Sequence, residues 1–432
     1  MNRVQSNRNV RAGRSYFLTF ALLVLPLIII TKPVFAGGKA KDFALNLGQA
    51  ERTTFEAWYE ARVFFDAAMD AYWAKVEKKR RERRAKRRKR LAVTGRDYVH
   101  DGPPVYAGPK ISKALVARWR RYRDRGKPAA RRRSTQLPGL DVYLASAKRY
   151  FSFAPERIAE IEFKRRYAKE ALSLGLTKEQ VIRVYALETG GRGTADMQAG
   201  INPITRKGRP ISSALGYAQL LAANSVNVLS KHGAKLIKRL AGMVRAEGDG
   251  VRRKRLQAKL DVLRRMVRTA KSVPYKWSRH RALARTGRGR ALHVMNMDGD
   301  IGPWMQVIKL ADLKRMAKRK GRSRLSGAEL ELMNLAGPAT GLEMMHKTGL
   351  DKPTTNFFSR RAYYRNTVVR GKDSRGLLVA LEKRMQAGMK NKGAREFITV
   401  FDRLLSQRRP RAVLRPPNKA FRFAPRAFSS AH

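Results

Sequence analysis

A net charge of +62, from 95 Lys and Arg against 33 Asp and Glu, constrains this chain of 432 residues more than any other feature. A repulsive field of that size calls for a polyanionic partner or a polyanionic surrounding, such as nucleic acid or an anionic bacterial envelope. The length exceeds what one hydrophobic core usually organises, so one compact domain with long extensions, or two domains, is expected.

The N-terminus chooses between the two surroundings. Arg3, Arg8, Arg11 and Arg14 form a positive region, residues 16–30 are almost wholly apolar, and Val34-Phe35-Ala36 fits a small-residue cleavage site. Residues 1–36 therefore read as a secretory signal peptide, with an uncleaved anchor as the alternative, and either way the body is exported to the periplasm or cell envelope. Few of the cations lie in that segment, so the basicity belongs to the working protein. Cysteine is absent, which excludes disulfides and thiolate metal sites and leaves stability to core packing.

Along the body, residues 37–91 read as a basic amphipathic helical region. Phe55, Trp58, Tyr59, Phe64, Phe65, Met69, Tyr72 and Trp73 recur at roughly helical spacing. Residues 75–90 contain 12 Lys or Arg in 16 positions, a density of one sign expected to remain solvated or bound to phosphate. Residues 92–136, with Gly102-Pro103-Pro104, Gly108-Pro109 and an Arg-rich end, are expected to be a linker. From Leu140 the pattern becomes globular and its apolar spacing is helical. Helices are expected near residues 140–151, 158–172, 177–189, 226–273, 304–318, 327–345 and 376–389, followed by a basic, disordered tail over 401–432. Thr177 and Gln180 make a Thr-x-x-Gln capping box, and Gly190-Gly191 supplies the stop. The fold class is mainly α, with room for a small hairpin near the active site.

The chemistry concentrates in Val184-Tyr185-Ala186-Leu187-Glu188-Thr189-Gly190-Gly191, where an acid closes an otherwise apolar helix. Cleavage of a glycosidic bond needs a proton donor on the leaving oxygen, and apolar surroundings allow a Glu to keep its proton near neutral pH, the arrangement that lysozyme exemplifies. Two further segments follow in order, Gly216-Tyr217-Ala218-Gln219-Leu220 and Met333-Asn334-Leu335-Ala336-Gly337-Pro338.

Together these three segments resemble the soluble lytic transglycosylase catalytic domain of the lysozyme superfamily. Glu188-Thr189-Gly190-Gly191 resembles its Glu-Ser-Gly-Gly helix end, the second segment its Gly-Leu-Met-Gln, and the third its Tyr-Asn-Ala-Gly-Pro with Met333 in the tyrosine position and one additional residue. The resemblance implies a lysozyme-like domain over 138–400, with Glu188 as general acid and base on the MurNAc-GlcNAc bond of peptidoglycan. It gives Thr189, Gly216, Tyr217, Gln219, Asn334 and Gly337 to the substrate, and Tyr363 or Tyr364 is the candidate replacement for the phenol. Asp196 reads as a turn or hydrogen-bonding residue, the alternative being a second carboxylate for water-mediated hydrolysis.

The six His show no metal-ligand spacing and Gly190-Gly191-Arg192-Gly193 lacks the strand-to-helix setting of a phosphate loop, so no cofactor or metal is implied. The expected partners are peptidoglycan glycan strands and an anionic envelope surface, held by the basic arms. A lysozyme-like protein without activity that only binds peptidoglycan or envelope polyanions is the alternative. Nucleic-acid binding, suggested by Trp119 and Tyr122 among arginines, is disfavoured by the signal peptide.

Overall fold

The computed structural model describes residues 38–126 and 137–408. Within them the protein is mainly helical, and extended pairing is confined to isolated bridges such as Gln198 with Leu215 and Leu215 with Leu220. No helix among the described residues is long and apolar enough to cross a membrane. The signal-peptide segment and the chain beyond Arg408 lie outside the described residues.

The chain divides into two compact units. The smaller takes its described residues from the stretches up to Ala67 and from Val105 to Pro128, and contains α1 (Gly38–Leu45), the first half of α2 (Gln49–Arg88) and α3 (Lys113–Arg123). Its core is aromatic: the rings of Phe43 and Phe55 lie 4.9 Å apart and those of Phe55 and Trp119 lie 5.5 Å apart, arrangements that add to the area they bury. Here the structure corrects the linker expected over 92–136. Ser112 caps α3 by accepting from Leu115 N at 3.1 Å, and Leu115 and Trp119, one helical turn apart, are its buried face. Two apolar anchors among five arginines and lysines suffice for a helix that has a partner to cover it.

The larger unit holds the second half of α2, then α4 (Leu140–Phe151), α5 (Glu160–Ser173), α6 (Lys178–Thr189), α7 (Ala222–Ala246) and α8 (Gly250–Lys271). The short helices α9 (Trp277–Leu283) and α10 (Gly287–His293) lead to α11 (Gly302–Arg319). There follow α12 (Gly327–Ala336), α13 (Pro338–Met344), α14 (Arg360–Arg365), α15 (Ser374–Met389) and α16 (Lys392–Arg408). The expected segment 226–273 is thus two helices, the second started by Asp249, whose side chain accepts from Arg252 N at 3.0 Å. The expected 327–345 is also two, parted where Gly337 takes φ +88° ahead of Pro338.

One core joins α7 and α8 through Leu229, Leu236, Leu260, Leu263 and Met266, and reaches Met305 of α11. A second packing centre is aromatic. Tyr217 meets Tyr185, Phe163, Tyr167 and Phe397 at centroid distances of 5.0, 5.2, 5.5 and 5.6 Å. Phe397 belongs to α16, which continues to Arg408, so residues 401–408 of the tail expected to be disordered are helical, a second correction. Ala394, Phe397, Val400 and Phe401 are buried at i, i+3, i+6 and i+7, and the boundary drawn at residue 400 cuts this helix.

The third correction concerns residues 75–90, which are not wholly solvated. Arg81, Arg84 and Arg88 are exposed, but Arg83 is 1 % exposed. Its guanidinium donates from Nε to Glu343 Oε1 at 2.7 Å, from Nη1 to Asp97 O at 3.0 Å and from Nη2 to Asn356 O at 2.6 Å, and it lies 4.3 Å from the Tyr98 ring centroid. Arg80 donates to the carbonyls of Thr355 and Asn356, and Arg87 also pairs with Glu343. A guanidinium offers five donors in a planar fork, which lets it serve as an internal clamp where a lysine would not. Breaking a buried ion pair by removing one partner costs about 3–5 kcal/mol. Arg83→Leu is therefore expected to destabilise the protein by about 3 kcal/mol, the low end because Arg87 still meets Glu343; an unchanged midpoint in urea unfolding would count against the clamp.

Candidate active site

The site begins with the register of α6. Thr177 Oγ1 accepts from Gln180 N at 3.2 Å while Gln180 Oε1 accepts from Thr177 N at 3.1 Å, the expected capping box. From that start Val181, Val184 and Tyr185 fall on the buried face, and Glu188 follows them at i+7, i+4 and i+3, so it shares their side of the helix. Gly190 ends α6 at φ +62°. A carboxylate in the last turn also faces the negative end of the helix dipole, which disfavours its charged form.

Close packing holds this helix end. A methyl group at Gly388 of α15 would lie 2.4 Å from Ala186 O, so only glycine lets the two backbones meet there. Asn391 Nδ2 then donates to Gly190 O at 2.8 Å, satisfying a carbonyl that α6 leaves without a helical partner.

Glu188, itself only partly exposed, is met by groups from two other helices. Asn334 of α12 donates from Nδ2 to Glu188 Oε1 at 3.2 Å and to both carboxylate oxygens of Glu331 at 3.1 and 3.2 Å. Glu331 is 3 % exposed, and the two carboxyl groups lie within hydrogen-bonding reach of each other. Lys309 of α11 faces both acids. Burial pushes Glu188 up to about 7, against a hydrogen bond with Glu331 and the charge of Lys309 that pull it down. Burial, together with Glu188, raises Glu331 well above the ordinary carboxylate range, and burial draws the Lys309 ammonium down.

The segment Gly216–Leu220 forms a closed turn. Leu215 and Leu220 exchange backbone hydrogen bonds, each 3.0 Å long, around Gly216 at φ +75° and Gln219 at φ +41°. Gln306 of α11 seats the turn, accepting from Tyr217 N at 2.8 Å and donating to Asn296 O at 2.9 Å. Lys309 stands one helical turn after Gln306, on the helix that seats the turn. Asn224, in the first turn of α7, closes the circle: with its amide set to satisfy both neighbours, Oδ1 accepts from Leu221 N and from Lys309 Nζ, each at 3.2 Å. Gln219 Nε2 donates to Gly216 O at 2.8 Å and to Met197 O at 3.1 Å. Met197 also lines an open cleft of about 640 Å³ with Leu140, Gln198 and Arg206.

The structure therefore brings Glu188 and Asn334 together and seats the turn of Gly216 and Gln219 on Gln306, one helical turn before the Lys309 that faces the acids. Thr189 is buried, its hydroxyl donating to Tyr185 O at 2.7 Å within the helix, and Tyr217 is a core residue whose hydroxyl donates to Glu160 Oε2 at 2.6 Å; neither is presented to a ligand. Gly337, where α12 ends, has open space around the position of a side chain. Tyr363 does not supply a phenol to Glu188: its oxygen accepts from Gly371 N at 2.9 Å and its ring packs on Trp73 and Tyr364. Asp196 is buried, which raises it, but Thr194, Arg206 and Arg157 outweigh burial and hold it below the ordinary range. Thr194 Oγ1 donates to it at 2.6 Å and Arg206 pairs with it at 3.2 Å, so it is a tied anion. Among the described residues no group of three or more His, Asp or Glu is arranged to hold a metal.

Glu331 and Lys309 are site residues that the sequence reading misses. Lys309 carries a signature like that of Glu188, a lone charge in Val307-Ile308-Lys309-Leu310-Ala311, whereas Glu331 alternates with Glu329 in Glu329-Leu330-Glu331-Leu332. No family profile, curated protein or solved structure matches the chain. What stands for the site is therefore its own geometry, and Gly216 tests it. A methyl group there would lie 2.4 Å from Gln306 Nε2 and force a left-handed backbone on alanine. Gly216→Ala is expected to cost about 1–3 kcal/mol in chemical denaturation; a neutral result would show that Gln306 does not fix the turn.

Proposed function

We propose that the protein is an exported, lysozyme-like lytic transglycosylase that cleaves the MurNAc-GlcNAc bond of peptidoglycan with Glu188 as its acid and base. The observation that carries this reading is a half-buried carboxyl at a helix end, raised to about 7 by burial, with the Gly216–Gln219 turn seated on the helix whose Lys309 faces it. A group with that affinity holds a proton at neutral pH and gives it up readily, which is the requirement for general acid–base work. Glu188 protonates the glycosidic oxygen as the bond from C1 to that oxygen breaks. The resulting carboxylate then takes the proton of the C6 hydroxyl as O6 bonds to C1, and the enzyme returns to its starting state. Gln219 Nε2 is engaged within the turn, so its Oε1 is the end that remains to accept from a sugar hydroxyl or amide.

The inactive, binding-only alternative draws on Met333, which is fully buried where the family carries a tyrosine. Glu188→Gln separates the two readings. Release of muropeptides from purified sacculi is expected to fall by about 10²–10⁴-fold in that variant. Gln219→Ala is expected to lose less, roughly 10- to 100-fold, because it positions the glycan rather than donating the proton. If wild-type protein releases nothing, the binding-only reading takes over.

The surface that would hold anionic envelope polymers also changes with the structure. Because Arg80 and Arg83 are interior clamps, residues 75–90 are not a dispensable arm. The exposed side of α8 is the better candidate: the helix holds nine Lys or Arg, of which only Lys259 is buried, against Asp261 alone. Lys254, Arg268 and Lys271 lie on its solvent side with no carboxylate partner among the described residues. At about 1 kcal/mol per cation near an anionic surface, replacing these three by Gln is expected to weaken binding to sacculi by up to about 100-fold. The salt dependence should flatten as well; an unaltered binding isotherm would place the tether elsewhere.

A further inference from the structure

Some buried carboxylates elsewhere in the larger unit meet more cations than they carry charges. Glu343 meets Arg83 and Arg87, and Asp196 meets Arg157 and Arg206; Asp300 shares Lys259 with Asp298 and Glu156 but also meets Arg166 and Arg252. Glu188 and Glu331 reverse the ratio, since among the described residues these two acids face one cation, Lys309.

The reversal has a physical consequence. Glu331 is buried and Glu188 is closed in by protein, so net charge on this group is costly. With both carboxyls ionised the group carries −1, and with both protonated it carries +1; one proton on the pair leaves it neutral. The geometry provides for such sharing, since the Asn334 amide donates to both carboxyls and the two acids interact with each other.

We propose that Glu188 and Glu331 hold one proton between them across the neutral range, with Lys309 as the balancing cation, and that Glu331 is a positioning residue that keeps this proton available to Glu188. This rests on the reading of Glu188 as the donor to a glycosidic oxygen. Delivery of the proton leaves two carboxylates beside one ammonium, which strengthens Glu188 as the base that then removes the C6 hydroxyl proton as O6 bonds to C1. The groups acting on Glu188 are Glu331 and Asn334 from α12, Lys309 from α11 and the phenol of Tyr167 from α5, which burial and Glu188 keep protonated.

Two variants should move the system in opposite directions. In Glu331→Gln the amide can still donate to Glu188 but the second negative charge is gone, so the site's proton leaves at lower pH; in Lys309→Met the missing cation preserves it to higher pH. The alkaline limb of muropeptide release is expected to shift down by about one pH unit in the first and up by about one in the second. Glu331→Asp should restore the wild-type limb at least in part. A merely structural Glu331 would lower activity at every pH without moving the limb, and that result overturns the proposal.

Thermal unfolding gives a readout that does not depend on catalysis. A carboxyl raised in the folded state stabilises the protein fully below its unfolded value, and that contribution is lost as pH rises through the folded value, here about 7. Wild-type protein should therefore lose Tm between about pH 5 and 8 in a component that Glu331→Gln reduces and Lys309→Met displaces to higher pH. Superimposable pH dependences in all three proteins overturn the proposal whatever the activity. Separated curves together with no muropeptide release from any of them support the shared proton while removing the glycan reading.

Discussion

Acids are outnumbered almost three to one in this chain, and the way the few carboxylates are placed organises the larger unit. Each buried acid that receives guanidinium or ammonium groups becomes a junction between helices far apart in sequence. Glu343 ties α13 to α2, and Glu170 of α5 and Glu382 of α15 pair with Arg239 of α7 and Arg183 of α6. Lys259 of α8 joins Glu156 and Asp298, each at 3.0 Å. Such pairs gain little over apolar packing but are costly to break on one side only, so they fix which helices meet. In the region where α6, α11 and α12 bring two acids to one lysine no guanidinium is added among the described residues, unlike at Lys259, whose acids also meet Arg166 and Arg252, and perturbed carboxyls in such settings concentrate at functional sites.

The same accounting explains why the most basic helix is built in. An isolated run of twelve cations would repel itself, yet along α2 the charges divide by helical phase. Arg80 and Arg83 turn inward to carbonyls and Glu343, while Arg81, Arg84 and Arg88 turn outward. Charge density alone does not reveal which face of a helix is covered; the acceptors that cover this one sit some 260–276 positions later in the chain.

What can be read from sequence divides along that line. The start and stop of α6 rest on Thr177, Gln180 and Gly190, neighbours in sequence whose local chemistry decides the outcome wherever the helix docks. Glu188 is legible for the same reason, as a charge on a face otherwise made of Val181, Val184 and Tyr185. The helix α3 is hidden because it buries only Leu115 and Trp119 among many arginines, and that burial depends on a partner supplied by distant segments; α16 carries a legible apolar face of Ala394, Phe397, Val400 and Phe401, which a boundary at residue 400 divides. Tyr363 illustrates the converse. A tyrosine of the right chemistry is present, but Trp73 of α2 and the backbone of Gly371 claim it, a competition no local pattern displays. Lys309 lies between the two, since its setting in an apolar run is visible and only its convergence on Glu188 is not.

Convergence is what gives the site its rigidity. The Gly216–Gln219 turn carries a non-glycine residue at φ +41°, a conformation that persists only where the surroundings over-determine it. Gln306 supplies that determination from α11, and Lys309, one turn further along the same helix, is the cation that faces both acids. A displacement of α11 would therefore disturb the turn and the charge balance at once. Holding the group that positions a ligand and the group that sets the acid's proton affinity on one helix face couples their geometry without any further device. The coupling also explains why positions 306 and 309 are not apolar: a leucine at either would pack, but Tyr217 N would lose its acceptor or the two carboxyls would lose the charge that lets one of them ionise.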